Sequence, residues 1–244
     1  MKTRNIICMA LTLLVSVTAM AKGSSRWHIN AAKNEKYKVC TIQLQDPEAF
    51  DQISLSVAGD LEYTQSTDGT SGVTLIISEN IIDKVETTVA HGRLSIEYKK
   101  GIKNVLTSDA QIKIIAHSPS LSAVKVNGSG DMTLKGSICT EELTLHINGS
   151  GDINAHNLTC QSVNVNINGS GDVNLAGTAK EAFLKINGSG DIDCERLLCQ
   201  QVKANINGSG DIDCYASETL TAHVNGSGEI DCSGSPQKSI YKKR

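Results

Sequence analysis

One four-residue run, Asn-Gly-Ser-Gly, recurs six times in the second half of the chain, and it is the feature that most constrains the fold. The copies begin at Asn127, Asn148, Asn168, Asn187, Asn207 and Asn225, so they are 21, 20, 19, 20 and 18 residues apart. An apolar residue precedes each copy and an acid follows it. A period of about twenty residues is typical of a solenoid, in which each repeat forms one coil stacked on the next.

Apolar and polar residues alternate on both sides of this run. The residue before each Asn is Val126, Ile147, Ile167, Ile186, Ile206 or Val224, and the residues three before, five after and seven after are also apolar, Ala or Cys. The residue two before is polar in every copy: Lys125, His146, Asn166, Lys185, Asn205 and His223. A period of two predicts strands with one buried face, and the glycines between them suit a tight corner.

Two arrangements of such strands are possible. Asn-Gly between alternating strands suits a hairpin, which would build an antiparallel meander. Every copy, however, repeats the same order of inward and outward positions at nearly constant length, as coils of one sense do. We therefore predict an all-β fold, a right-handed parallel β-helix with coils of about 20 residues, in which the corner Asn side chains form an amide ladder.

A more irregular β region precedes the repeats, which begin near residue 121. Residues 50–65 alternate strongly around Ala58-Gly59-Asp60, which resembles a degenerate form of the same corner. Further strands are predicted around residues 74–77 and 94–98, with a short helix or turn at 80–85. Residues 22–39 are polar and predict a loose linker or an added edge strand, and residues 236–244 predict a basic tail.

The first 21 residues have the pattern of a secretory signal peptide. Lys2 and Arg4 precede an apolar run over residues 6–17, and Ala19-Met20-Ala21 provides a small-x-small cleavage pattern. Cys8 lacks the small residues that precede the cysteine of a lipoprotein signal, so we favour free export over a lipid anchor. The sequence thus predicts an exported protein located in the periplasm, at the cell surface or outside the cell.

Composition narrows the choice of partner. The chain carries 23 basic and 26 acidic residues, and the predicted signal peptide removes two of the basic ones. Nucleic-acid binding is therefore not expected, because it needs concentrated positive charge. Aromatic residues make up only 3% of the chain, so few stacking platforms for sugars are expected.

Residues 40–235 resemble the bacterial head GIN domain family, which is named as a putative auto-transporter adhesin. The resemblance rests on F-x-x-I-x-x-x-V-x-G-D-L from Phe50, on S-E-N-I-I-D-K-V-E-T-T-V-x-x-G-R-L-S-I from Ser78, and on the serial Gly-Ser-Gly-Asp corners. It covers nearly all of the predicted mature chain. It implies a cell-envelope β-helical domain, and the adhesin label adds no ligand, because a fold does not determine function.

Acidic residues form two neighbouring columns at the corners. The last three coils carry a pair each, Asp191 and Asp193, Asp211 and Asp213, and Glu229 and Asp231. A hard cation such as Ca²⁺ could relieve their repulsion, but the calcium-binding β-roll has a nine-residue repeat and matches in composition alone. We expect instead that corner amides donate hydrogen bonds to these acids while solvent screens the remainder.

The cysteines also recur with the repeat. Cys194, Cys214 and Cys232 occupy one inward position, while Cys139, Cys160 and Cys199 each lie twelve residues after a corner Asn. Exported proteins can form disulfides, but the Cβ atoms of neighbouring parallel strands lie too far apart for easy bridging. We expect these cysteines to pack as small apolar side chains.

The sequence favours a non-catalytic structural or binding module, adhesin-like, that meets an envelope protein or a polysaccharide. The alternative is a carbohydrate-active β-helix enzyme, a lyase or a hydrolase, which would gather acids and a basic residue in one groove. We predict no catalytic residue, cofactor or metal site, because no nucleophile with a paired base breaks the repeat. The polar column from Lys125 to His223 is interpreted as a solvated face.

Overall fold

The computed structural model describes residues 26–30, 39–45, 49–102 and 111–243. These residues form strands and one 3₁₀ helix, Ile82–Lys84. The strands are β1 (Arg26–Asn30), β2 (Val39–Gln45), β3 (Gln52–Ser56), β4 (Asp60–Gln65), β5 (Gly72–Ser78), β6 (Val85–Ala90), β7 (Arg93–Tyr98), β8 (Ile112–Ser118), β9 (Ala123–Gly128), β10 (Met132–Lys135), β11 (Ile138–Gly149), β12 (Ile153–Gly169), β13 (Val173–Gly188), β14 (Ile192–Gly208), β15 (Ile212–Gly226), β16 (Ile230–Cys232) and β17 (Lys238–Lys243). Within the described ranges, no helix is long and apolar enough to cross a bilayer.

Strands β11 to β15 are the body of the solenoid. Each pairs with the next in parallel, and the corner residues are in register from Asn148 through Asn168, Asn187 and Asn207 to Asn225. Paired residues on neighbouring strands are separated in the sequence by one repeat length. Each repeat is therefore one coil. The prediction of stacked parallel coils is confirmed, and the antiparallel meander is wrong.

The core consists of aliphatic columns that follow the coil axis. The residues before the corner Asn, such as Ile147 and Ile167, are buried, and so are those that begin the next strand, such as Ile153 and Val173. In each column, similar side chains from successive coils lie on top of one another, so a few aliphatic residue types fill the interior. A chain with so few aromatic residues can bury its apolar side chains in this way.

The coil before the first repeat has the degenerate corner predicted at Ala58-Gly59-Asp60. Strand β3 pairs in parallel with β9, and β4 pairs in parallel with β10. The Asn127 side-chain amide donates to Ser56 Oγ at 3.0 Å, which places Ser56 at the corner-Asn position. The Leu61 amide donates to the carbonyl oxygen of Asp131 at 2.8 Å and continues the ladder past the turn.

Antiparallel strands cover the N-terminal end of the stack. Strands β7 and β8 extend the parallel stack beyond β3 and β4. Strand β6 then pairs antiparallel with β7, and β5, β2 and β1 follow β8 in an antiparallel series. The predicted strands near 74–77 and 94–98 lie in β5 and β7, and the predicted turn at 80–85 contains the 3₁₀ helix. Covering strands of this kind protect the open edge of a sheet.

Segments near both ends of the chain form strands. Within residues 22–39, Arg26–Asn30 form β1, so the edge-strand alternative applies there. Lys238–Lys243, predicted as part of a basic tail, form β17 and pair in parallel with β15. All six side chains of β17 are exposed, so the strand is held by its backbone pairing with β15 and by the Lys243 Nζ atom, which donates to the Gly228 carbonyl oxygen at 3.2 Å. The predicted signal peptide, residues 1–21, lies outside the described residues.

Candidate functional site: the outward faces of the coils

The asparagines of the first five corners form a continuous amide ladder on the outside of the solenoid. The Nδ2 atom of Asn148 donates to Asn127 Oδ1 at 3.0 Å, and that of Asn168 donates to Asn148 Oδ1 at 3.0 Å. Asn187 and Asn207 repeat the contact with the preceding coil at 2.8 Å and 3.1 Å. The amide ladder predicted from the sequence is confirmed, and it ties the register of each coil to its neighbours.

The first acidic column is built into the same corners. The backbone amide of Asp152 donates to Asp131 Oδ1 at 2.9 Å, and the same contact joins each later acid to the one before it. The later donors are Asp172, Asp191, Asp211 and Glu229, at 2.8–2.9 Å. Five carboxylates, from Asp131 to Asp211, therefore each accept a hydrogen bond from the amide of the next coil. For Asp191 and Asp211 this is the contact expected from the sequence.

The second acidic column has a different environment. Asp193, Asp213 and Asp231 are direct register partners on neighbouring strands, so their charges repel at the coil spacing. Partial burial raises the pKa of Asp213, and the negative charges of Asp193 and Asp231 raise it further. The Asp213 side chain is consequently less stable in the ionised form than an isolated surface acid.

The acids do not converge on a point. Among the described residues, no group of three or more His, Cys, Asp or Glu side chains is arranged to hold a metal ion. The carboxylates follow one another in register from strand to strand, whereas Ca²⁺ needs six to eight oxygen ligands around one centre.

The polar column on the strand before the corner is longer than the sequence indicates. Its six predicted members are in register, and the column continues to Lys242 at one end and to Ser54 and Ser95 at the other. The sequence alone does not identify Lys242 as a member of this column, because β17 has no Asn-Gly-Ser-Gly corner. A parallel column two residues earlier in each strand includes Phe183, which is 36% exposed, and Lys203.

The cysteines divide into two groups. Cys194, Cys214 and Cys232 are register partners on one column, with the first two buried. Burial raises the pKa of the Cys214 thiol, and a contact with Cys232 raises it further. The six cysteines with described side chains are all free thiols.

Cys139 does not share an inward column with Cys160 and Cys199, as its spacing had suggested. It pairs with Thr159 and is exposed, whereas Cys160 and Cys199 are buried and burial raises their thiol pKa values to about 11 and about 12. The coil from Asn127 to Asn148 has one more residue than the next coil, and the extra residue lies before Cys139. The shift of one residue turns its side chain outward.

A shallow groove of about 450 Å³ lies beside the first coils, where the residues of the 64–70 turn meet β8. It contains one carboxylate, Asp68, and one imidazole, His117. Asp68 Oδ1 accepts hydrogen bonds from the Thr70 hydroxyl at 2.7 Å and the Thr70 amide at 3.0 Å, and these bonds lower its pKa. A general acid needs the opposite shift, so Asp68 is not suited to that role.

Comparison with protein families identifies the chain over residues 49–236, where it matches the model described as "Putative auto-transporter adhesin, head GIN domain". The match spans most of the described structure, from the turn before β3 to the segment before β17. A comparison with curated proteins returned no match.

Several solved structures share the fold. A putative adhesin from Bacteroides fragilis is 33% identical, with a TM-score of 0.78 over 85% of this chain and 94% of that chain. A putative lipid binding protein from Parabacteroides distasonis is 25% identical, with a TM-score of 0.66 over 84% and 96% of the two chains. A putative adhesin from the same organism is 22% identical, with a TM-score of 0.62 over 85% and 98%, and its likeness extends to the fold alone.

Proposed function

Because the chain belongs to the head GIN domain family of putative auto-transporter adhesins, we propose that it is an exported binding module of the bacterial cell envelope. In this role the coils present long outward faces to an extended protein or polysaccharide partner, and no chemical step follows binding. The observation that carries the proposal is the columnar arrangement of outward polar side chains over successive coils. Extended solenoid surfaces bind in this manner, through many weak contacts.

The arrangement of titratable groups supports a role without catalysis. An acid–base pair for glycoside cleavage needs two carboxyl groups on opposite sides of one bond, one of them with a raised pKa. Asp213 has a raised pKa, but its neighbours Asp193 and Asp231 are its register partners in the same column. The alternative function, a carbohydrate-active enzyme, would require a different clustering of these acids.

The relatives guide the choice of partners to test. The Bacteroides fragilis relative is described as a putative adhesin, and one Parabacteroides distasonis relative as a putative lipid binding protein. Both descriptions support a binding role for this chain, and the second adds lipid to the candidates.

The test is a binding screen of the full chain against glycans, envelope proteins and lipid vesicles, with and without Ca²⁺, followed by product analysis of every bound glycan. We expect binding with no change in the bound molecule. Heat-unfolded protein serves as the control for non-specific adsorption. Release of shortened glycan would contradict the proposal and favour the enzyme.

Export is tested separately. We propose that residues 1–21 direct secretion and are removed, because a charged start, an apolar run and Ala19-Met20-Ala21 follow one another. N-terminal sequencing of protein recovered from the periplasmic and extracellular fractions should begin at Lys22. Recovery of uncleaved chain in the cytoplasm alone would refute export.

A further inference from the structure

Two neighbouring columns of outward side chains form a surface that we call the cationic face. One column lies two residues before the corner position of each coil and the other lies four residues before it. The first column consists of Ser95, Ser54, Lys125, His146, Asn166, Lys185, Asn205, His223 and Lys242. The second consists of Arg93, Gln52, Ala123, Thr144, Asn164, Phe183, Lys203, Thr221 and Ile240.

The charge on this face has one sign. Arg93, Lys125, Lys185, Lys203 and Lys242 are all exposed, and neither column contains a carboxylate. The chain as a whole has more acids than bases, so the face differs from the rest of the molecule. A surface of this kind attracts anions and increases their local concentration.

The cations are spaced regularly along the stack. Lys125, Lys185 and Lys242 are each separated by three coil steps, which is about 14 Å at the spacing of neighbouring strands. Lys203 lies in the adjoining column, one coil after Lys185. The positive charges thus form a line parallel to the coil axis.

Neutral groups between the cations suit a sugar chain. The side-chain amide of Asn164 can donate to and accept from hydroxyl groups. In the first column Asn205 Oδ1 lies 3.3 Å from His223 Nδ1, which leaves the Asn205 amide nitrogen to donate. Phe183 is exposed in the middle of the face, with Lys203 Nζ 5.8 Å from the centre of its ring. An exposed aromatic ring beside a cation offers apolar contact and charge to one sugar unit.

We propose that the cationic face binds a linear polyanionic glycan, whose carboxylate or sulfate groups meet the line of lysines along the coil axis. This inference rests on the proposed binding function and names the class of partner. Many exposed ion contacts, each weak, would add to useful affinity because the polymer engages several coils at once.

The borders of the face favour a polymer over a membrane. The next column outward contains Glu142 and Glu181, and Glu97 lies beyond Ser56 at the N-terminal end of the corner column. A planar anionic surface would approach these carboxylates as well as the lysines. A chain one sugar wide can lie between them, so the repulsion is smaller.

The test measures the affinity of the full chain for polygalacturonate by titration calorimetry. Fully methyl-esterified polygalacturonate, which has the same backbone without the charges, is the matched probe. The variants are Lys185→Gln and the double variant Lys125→Gln with Lys185→Gln. Lys180→Gln is the matched control. Lys180 is also exposed and lies on the same coil as Lys185, but outside the cationic face. Lys180 and Glu181 both face outward where the strand bends, and Lys185 follows that bend.

We expect Lys185→Gln to weaken binding roughly two- to five-fold and the double variant roughly ten-fold, with Lys180→Gln close to the unchanged protein. Affinity should fall as salt rises, and the esterified polymer should bind far more weakly. Unchanged melting curves of the variants would show that the fold is intact, as the side chains are exposed.

Three results would overturn the inference. An equal loss in Lys180→Gln would mean that net charge alone attracts the polymer. Binding of anionic vesicles that depends on Lys125 and Lys185 more strongly than polygalacturonate binding does would identify a membrane as the partner. Failure to bind polygalacturonate, with binding of a neutral glycan or an envelope protein in the wider screen, would reject the polyanion and leave the proposed function standing.

Discussion

At the scale of single residues, the first glycine of each corner serves two purposes that can be separated. Gly169 has φ +146°, and a Cβ atom on it would collide with the carbonyl oxygen of Gly149 on the coil before. Gly128 also has a positive φ, +112°, but a Cβ atom there would meet open space. Backbone conformation restricts the residue type at both positions. The close approach of the coils restricts it at Gly169 but not at Gly128.

Gly169→Ala should therefore destabilise the protein more than Gly128→Ala. The strained φ costs about 1–2 kcal/mol in each variant, and overpacking between the coils adds roughly 1–3 kcal/mol in Gly169→Ala. Chemical denaturation of the two variants measures the difference. Equal losses would show that the coils can move apart to accept a methyl group.

Asp213 is expected to destabilise the folded chain at neutral pH. Its pKa is raised in the folded protein, so folded Asp213 binds a proton more tightly than unfolded Asp213 does. The unfavourable contribution is full above the folded pKa and is relieved as the pH falls through that pKa. Stability attributable to this residue should therefore rise on acidification from neutral pH.

Asp213→Asn should accordingly raise the free energy of unfolding at neutral pH by about 0.2–1 kcal/mol, and the melting temperature by about 1–3 °C. The gain should shrink in high salt and in acid, since both reduce the repulsion from Asp193 and Asp231. Asp213→Glu keeps the charge and is the control. A gain of the same size in Asp213→Glu would exclude repulsion as the cause.

At the scale of elements, one extra residue in a coil changes which side chains are buried. The spacing of twelve from the corner Asn is the same for Cys139, Cys160 and Cys199, but only the last two are buried. The added residue lies between Leu134 and Ile138, after the corner and before the next strand. Counting from the preceding corner cannot locate such an insertion, whereas the alternation within β11 places Ile138 inward and Cys139 outward.

Alkylation of the native protein should follow this division. Among the cysteines with described side chains, Cys139 should react rapidly, half-buried Cys232 more slowly, and Cys160, Cys194, Cys199 and Cys214 only on unfolding. Raised thiol pKa values reinforce the protection of the buried group, because the thiolate is the reactive form. Mass spectrometry of the labelled peptides gives the order, and Cys139→Ser should abolish the fast reaction at this site. Rapid labelling of Cys199 would contradict the buried column.

At the scale of the whole molecule, the repeats reveal the stack but not its ends. Six aligned corners predict the parallel coils because each column keeps its inward or outward character over the whole length. The antiparallel cover of β5 and β6 cannot be read from the same pattern, since alternation shows which face is buried and not which strand is the partner. Strand β17 is hidden for another reason: its side chains are all exposed, so no apolar alternation marks it.

The outward faces also differ in how much of each can be predicted from the sequence. The acidic columns are visible in the sequence because they belong to the corner motif, and the ladder of amide contacts to them follows from stacking. The full length of the cationic face becomes visible only when β7, β3 and β17 are placed in register with the repeats. Its ends come from segments without the motif, and so their contribution depends on tertiary pairing.

The proposed binding mode is tested by titration of the full chain with size-fractionated polygalacturonate fragments, followed by measurement of fragment length. The cationic face has nine layers and spans on the order of 40 Å. We predict that affinity increases with fragment length until the fragment matches this span, and that the fragments keep their size. Affinity independent of length, or shortening of the fragments, would contradict a solenoid that binds along its coils without turnover.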